Sequence, residues 1–334
     1  MKRATLIYNP RAGQLNTAAK VQPAADAWRA QGWRVTLRPS SHAGHATQLA
    51  RAAAEAGEHV VLAAGGDGTL GQVADGLAGS ETVLAPLPTG TANALARELH
   101  LPRLQFLDPD APLEAAKALL DGRVQCVDLN FVQTHGWSGH ALLWAGIGAD
   151  GYLVQQLEPR PTWSKRLGPV GYSLQALSVL PRLPTLSAVV QVDEQAVEGD
   201  WLLIVISNCR LYAGGWLELS ADAVFDDGRL EVWLFRAGAF STRLLPPRVG
   251  LMARYLTGVG LSLQSLDPGV VNLTGRRVVV ETRGRIPCQR DGEKAGQTPL
   301  TSEIRPGALR LLVPAAAPAA LFARPGLPLR QLFP

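Results

Sequence analysis

His59-Val60-Val61-Leu62-Ala63-Ala64-Gly65-Gly66-Asp67-Gly68-Thr69-Leu70 runs from apolar, β-branched residues straight into a glycine cluster and out into helix formers. His59–Ala63 predicts a buried strand, and Leu70–Leu77 predicts a helix. A strand that feeds a glycine turn and then a helix is a phosphate-binding geometry. Gly65, Gly66 and Gly68 let the backbone approach a ligand closely. The helix start offers free N–H groups and the positive end of a dipole to anionic oxygens. Thr69 can cap that helix and donate a hydroxyl to phosphate. Asp67 is the odd member, because a carboxylate repels phosphate. It suits either a hydrated Mg²⁺ or a loop held by backbone N–H bonds. Taken alone, the cluster is equally consistent with a tight turn that binds nothing.

Two further loops sit at corresponding places. Ala4–Tyr8 predicts a strand ended by Asn9-Pro10-Arg11-Ala12-Gly13, and Thr82–Ala85 predicts one followed by Pro86, Pro88 and Gly90-Thr91-Ala92-Asn93. Helices are expected over Thr17–Ala30 (with Pro23 inside), His45–Ala56, Thr91–Leu99 and Pro112–Asp121, and a strand over Trp33–Leu37. This β-α-β-α order predicts an α/β domain with a parallel sheet, whose ligand loops lie at the carboxyl ends of the strands. Neither GxxxxGK[ST] nor a GxGxxG after the first strand is present. Beyond Val124, strand signals dominate, interrupted by helical intervals at Lys165–Leu180 and Ser241–Leu256. That change predicts a C-terminal antiparallel β-sandwich. The expected organisation is therefore 1–125, 126–314 and a Pro/Ala/Leu-rich tail over 315–334, read as a loose extension or a membrane-touching arm.

The 334 residues are 47% hydrophobic and 18% charged with a net charge of +4, which suits a folded protein and excludes a disordered one. No basic stretch interleaved with aromatics marks a nucleic-acid face. Three scattered cysteines exclude a disulfide framework or zinc knuckle. The N-terminus reads as a strand, and no run of about 18 apolar residues occurs. The expectation is a cytoplasmic protein, peripheral at the inner face of the membrane.

Together these segments resemble the diacylglycerol-kinase catalytic family of lipid kinases, which includes sphingosine and ceramide kinases and soluble bacterial members. Asn9-Pro10-x-x-Gly13 is similar to its NPxSG loop, Gly65–Thr69 to its GGDGT loop, and Pro88-x-Gly90-Thr91-x-Asn93 to its PxGTxN segment. GGDGT alone is shared with NAD kinases; the three loops in this order are far more specific. Downstream, Val127-Asp128-Leu129, Gly146–Asp150, Asn208 with Tyr212–Gly215, Asp226-Asp227-Gly228 and Asp291-Gly292-Glu293 resemble further family elements.

The resemblance implies an ATP-dependent lipid kinase. It assigns ATP to Asn9, Pro10, Gly13, Ser40, Gly65, Gly66, Asp67, Gly68, Thr69, Leu70, Gly71, Gln72, Gly90, Thr91 and Asn93. Asp67 would hold the Mg²⁺ of Mg-ATP through water. A structural Mg²⁺ is implied at the Asp227 side chain and the carbonyls of Val224 and Arg229. Glu293 or Asp291 would accept the acceptor hydroxyl's proton; without the resemblance, Asp291-Gly292 reads as a hairpin turn. A homodimer is a further expectation. The sequence departs from the family at Ala94 and Gln72, where carboxylates are frequent. A kinase of a soluble substrate such as NAD, or a silent nucleotide- or lipid-binding protein, are the alternatives.

Overall fold

The computed structural model describes residues 1–10, 17–90, 92–102, 110–157, 178–179, 181, 183–238 and 247–334. The expected helix over Lys165–Leu180 lies largely outside them, as do Gly13 and Thr91. The chain forms two compact units. The first comprises Met1–Leu129, Val224–Gly228 and Arg305–Pro334, and the second Asn130–Ala223 and Arg229–Ile304.

In the first unit, strands β1 (Lys2–Tyr8), β2 (Trp33–Pro39), β3 (Val60–Gly65) and β4 (Val83–Pro88) alternate with helices α1 (Thr17–Ala30), α2 (His45–Glu55) and α3 (Asp67–Leu77). The strands pair in parallel in the order β2-β1-β3-β4. Helix α1 runs through Pro23 and buries Val21, Ala24, Ala25 and Trp28, one stripe at helical spacing. The Trp28 indole N–H donates to the carbonyl of Ala116 in α5 (Ala111–Leu120). Strand β4 continues through Pro86 and Pro88, past the expected end at Ala85. Its second neighbour pairs only at Val83 and Leu84, so the missing N–H groups of the prolines cost no ladder bond on that side. Helix α4 spans only Ala94–Glu98.

The second unit is antiparallel. From β5 (Arg123–His135) the chain passes through β6 (Trp137–Ala141), β7 (Trp144–Gly148), α6 (Ala149–Leu157), β8 (Leu186–Val192), β9 (Gln195–Ser207), β10 (Leu211–Tyr212), β11 (Leu217–Glu218) and β12 (Leu230–Arg236). Helix α7 (Pro247–Gly260) follows, then β13 (Val270–Gly275), β14 (Arg277–Thr282), β15 (Pro287–Arg290) and β16 (Glu293–Val313). The strand signal across Gly139–Gly146 is divided between two strands, β6 and β7. Strand β9 pairs with β7, β8 and β12. Residues of these strands and of β14, among them Val190, Trp201, Ile204, Val232 and Val280, make one apolar core.

A boundary near residue 125 with consecutive domains differs from this division. Strand β16 is 21 residues long, and its last third pairs in parallel with β4 inside the first unit. The tail is packed and is not a loose extension. Leu321, Phe322 and Leu329 are buried, and β17 (Leu327–Pro328) pairs with Val124 and Arg123. Phe322 stacks on Phe225, which explains why Val224–Gly228 belongs to the same unit. Among the described residues no helix is long and apolar enough to cross a membrane.

Candidate nucleotide loops and acceptor turn

The register of the first sheet brings its loops together. Tyr8 lies opposite Pro39 and Ala64, and Gly65 lies opposite Pro88. Asn9, Ser40, Gly66 and Thr89 therefore leave the sheet side by side. The Asn9 N–H donates to the carbonyl of Ala64 and that of Ser40 to Tyr8. The N–H groups of Thr89 and Gly90 both donate to the carbonyl of Gly65. Gly90 must be glycine: a Cβ there would stand 2.4 Å from the Cα of Gly66. Asn93 adopts φ 57°, and its side chain closes the loop by accepting from the N–H of Gly90 and donating to that residue's carbonyl. The hydroxyl of Thr89 is buried with no hydrogen-bond partner among the described residues.

Helix α3 starts at Asp67, three residues before the expected Leu70, with Gly66 as its cap residue. Thr69 is therefore inside the first turn and does not cap the helix; Leu70 and Gly71 are buried within it. The Asp67 carboxylate is buried. It accepts from the N–H groups of Ala94 (3.0 Å) and Leu95 (3.3 Å), at the beginning of α4. Of its two sequence readings, the loop-holding one is observed. Gln72 has a similar task, since its Oε1 accepts from the N–H of Gly44, which has φ 78°. Pro10 is exposed at the end of the described part of the first loop.

Asp291-Gly292 is a two-residue hairpin between β15 and β16, with Arg290 paired to Glu293 and both turn residues at positive φ (47° and 82°). This is the turn that Asp-Gly favours. Asp291 is buried, and its carboxylate accepts from the N–H groups of Leu142 (2.8 Å), Leu143 (2.8 Å) and Trp144 (3.2 Å). Burial pushes its pKa up, against the guanidinium of Arg290 and those three bonds. Glu293 is different: about a third of its side chain is exposed, and its Oε2 lies 3.7 Å from Nη2 of Arg290. Of the two acid candidates, Glu293 is the one presented to solvent.

A third acid, Asp150, lies in the Gly146–Asp150 element that the sequence resemblance marked without a role. Asp150 opens α6, and its Oδ2 accepts from Nε2 of Gln289 (2.6 Å), whose Oε1 accepts from the N–H of Gly292 (2.8 Å). Burial pushes Asp150 up to about 6, with bonds from Tyr212 and Gln289 pulling the other way. Its signal was Gly146, where a Cβ would stand 1.9 Å from Asp150 Oδ2.

At the other implied site, Asp227 is exposed and Val224 half-buried. Its neighbours are scaffolding. Asp128 accepts from the N–H groups of Gly228 (2.6 Å) and Gly307 (2.7 Å), and Asp226 from those of Ala323 and Arg324. Burial raises the pKa of Asp128, and the charges of Asp227 and Asp226 add to that rise. Among the described residues no three His, Cys, Asp or Glu side chains converge into a metal-binding group.

Glycine loops bound together at parallel strand ends, followed by a unit presenting an acid on a hairpin, define a phosphotransferase. Residues 3–132 match the model of the diacylglycerol kinase catalytic domain, and residues 146–313 that of the YegS C-terminal NAD kinase beta sandwich-like domain. A Pseudomonas fluorescens protein named "Probable lipid kinase YegS-like" is 32% identical over 95% of this chain and 97% of its own length. The diacylglycerol kinase of Bacillus subtilis strain 168 is 26% identical over 90% of this chain and 92% of its own. A crystal structure of a diacylglycerol kinase from Bacillus anthracis superposes with a TM-score of 0.66 at 22% identity, covering 95% of this chain and 98% of that one. The chain belongs to the diacylglycerol kinase and YegS-like kinase family.

Proposed function

We propose that this protein transfers the γ-phosphate of ATP to a hydroxyl of a lipid. The observation that carries the reading is the pairing of Gly65 with Pro88, which sets two glycine loops and the start of α3 side by side. Backbone N–H groups at that helix start suit the phosphates of ATP. Asn9, Pro10, Gly13, Ser40, Gly65–Gln72, Gly90, Thr91 and Asn93 form the proposed nucleotide site, and the unsatisfied Thr89 hydroxyl beside them supports it. Glu293 is the proposed base. It takes the proton of the acceptor O–H, the freed oxygen forms a bond to the γ-phosphorus, and the bond to the β–γ bridging oxygen breaks, releasing ADP.

Mg²⁺ supplies charge neutralisation for phosphoryl transfer when bound. The donors present fit a hydrated ion carried by the ATP phosphates, because Asp67 places an acceptor-only carboxylate in the first turn of α3, beside the phosphate loops. The Val224–Arg229 loop offers one side-chain carboxylate, Asp227, and carbonyl oxygens. That set fits a water-rich structural ion and not a carboxylate cage.

The acceptor must be met at a membrane. In the second unit Trp216, Leu256, Leu261, Leu263 and Leu266 are exposed, and Gln264 ties their loop to the carbonyls of Glu218 and Leu219. Leu256 also lines an apolar pocket with Leu203, Phe235 and Met252. This surface supports peripheral contact with a bilayer.

The test is incubation with radiolabelled ATP and a panel of diacylglycerol, monoacylglycerol, sphingoid base, ceramide, polyprenol and NAD. Label in one lipid and not in NAD is expected. Label in NAD alone would replace the lipid reading with the soluble-substrate one, and no label in any acceptor would leave only a nucleotide-binding protein.

A further inference from the structure

The residue before the Asp291-Gly292 turn has no part in the reading so far. Arg290 is buried, with 4% of its surface exposed. Its guanidinium lies 5.0 Å from the centroid of the Trp137 ring, and Nη1 donates to the carbonyl of His140 at 3.4 Å. Its Nε is buried with no partner among the described residues. Burying a permanent cation is costly, so a guanidinium kept here needs a compensating charge. Two carboxylates flank it. That of Asp291 is bound by three backbone N–H groups. The other is Glu293, 3.7 Å from Nη2.

The hairpin brings this second pair together. Arg290 and Glu293 are directly opposite in the β15–β16 ladder, so their side chains leave the same face of the sheet. One partner is fixed by burial and by stacking on Trp137, while the other is partly exposed. We infer that Arg290 is a positioning residue for Glu293: the locked guanidinium selects the Glu293 rotamer and so sets where its carboxylate is presented. The inference rests on the proposal that Glu293 is the base. Arg290 itself touches neither nucleotide nor acceptor in this role.

A double-mutant cycle on the full-length protein tests it. Wild type, Arg290→Met, Glu293→Gln and the double variant are compared in single-turnover transfer from ATP to dioleoylglycerol in mixed micelles, or to whichever panel lipid accepts label if that one does not. Arg290→Met is expected to lower the transfer rate about tenfold, with KM for ATP changed less than about twofold. Arg290→Lys, which keeps the charge, should recover most of the loss. In the Glu293→Gln background Arg290→Met should have no further effect, because the group it acts through is gone. Losses that multiply in the double variant overturn the inference and leave the base assignment standing, as does a wild-type rate in Arg290→Met. A wild-type rate in Glu293→Gln overturns both. Should Arg290→Met fail to fold, Arg290→Gln takes its place in the cycle with the same expectations.

Discussion

The glycine loops of the first unit and the Arg290–Glu293 hairpin of the second solve a similar problem with opposite outcomes. Each contains an aspartate between glycines or beside one, and each turns that aspartate inward. Asp67 receives two backbone N–H groups at the start of α4, and Asp291 receives three from the β6–β7 turn. In the first unit no second acid follows, and the atoms that face outward are main-chain N–H groups of an 11-residue helix. That suits an anionic ligand. In the second unit Glu293 follows two residues later, partly exposed and beside a buried cation. That suits proton transfer. The lesson is that the aspartate of a Gly-Asp or Asp-Gly turn is the tie, and the chemistry belongs to its neighbours.

The sharpest way to break this comparison is to remove the two acids of the hairpin separately. Glu293→Gln should lower kcat by about 10²–10³-fold, with little change in melting temperature. Asp291→Asn should do the reverse. Its amide would set a donor against backbone donors, with a loss of about 3 kcal/mol in chemical denaturation and a smaller change in kcat per folded molecule. The opposite pattern would make Asp291 the base and its three N–H bonds a device for lowering its pKa.

Next in size is the pH dependence set by Asp150. Its folded pKa of about 6 lies above the ordinary 3.8, so the folded state binds this proton more tightly than the unfolded state does. Stability from this group is full below pH 4, is lost as pH rises to about 6, and is flat above. Discounted for its partial exposure, the change is on the order of 2 kcal/mol. Asp150→Asn should flatten the melting temperature between pH 4 and 6; an unchanged slope would assign it to another group. The hairpin is thus tied to a titrating acid through Gln289.

Asp67→Ala probes the first unit. It leaves the N–H groups of Ala94 and Leu95 without their acceptor in a buried place, at a cost of about 2 kcal/mol. If the tie orders the nucleotide loops, ATP binding measured by calorimetry should weaken by about tenfold or more. Binding that persists while transfer is lost would instead favour a role on the metal.

Much of this arrangement is legible in the chain. Strands that run into Gly65, Pro88 and Asn9 announce their loops by composition, and Asp291-Gly292 announces its hairpin. The destinations of the carboxylates are not legible. Asp67 reaches residues 27 and 28 positions away, Asp291 about 148, and Asp128 reaches Gly307 at 179. No local pattern encodes a side-chain to backbone bond over such distances. The tail fails for the same reason. Its partners are Val124, Arg123 and Phe225, so its leucines have no period of their own to betray burial.

Gln72 gives the smallest expected effect and the finest test. It stands where the family frequently has a carboxylate. The structure gives its Oε1 to the N–H of Gly44, and its backbone carbonyl to the hydroxyl of Thr47. A glutamate can accept the same Gly44 N–H, so Gln72→Glu keeps the bond and adds only charge. If position 72 serves the fold of the α2–α3 corner, the substitution should change KM for ATP by less than about twofold, its cost falling on stability because the added charge is buried. A large gain in ATP affinity that depends on added Mg²⁺ would instead mean that the first unit, like the hairpin, uses a second acid, and the contrast between the two regions would shrink to one of degree.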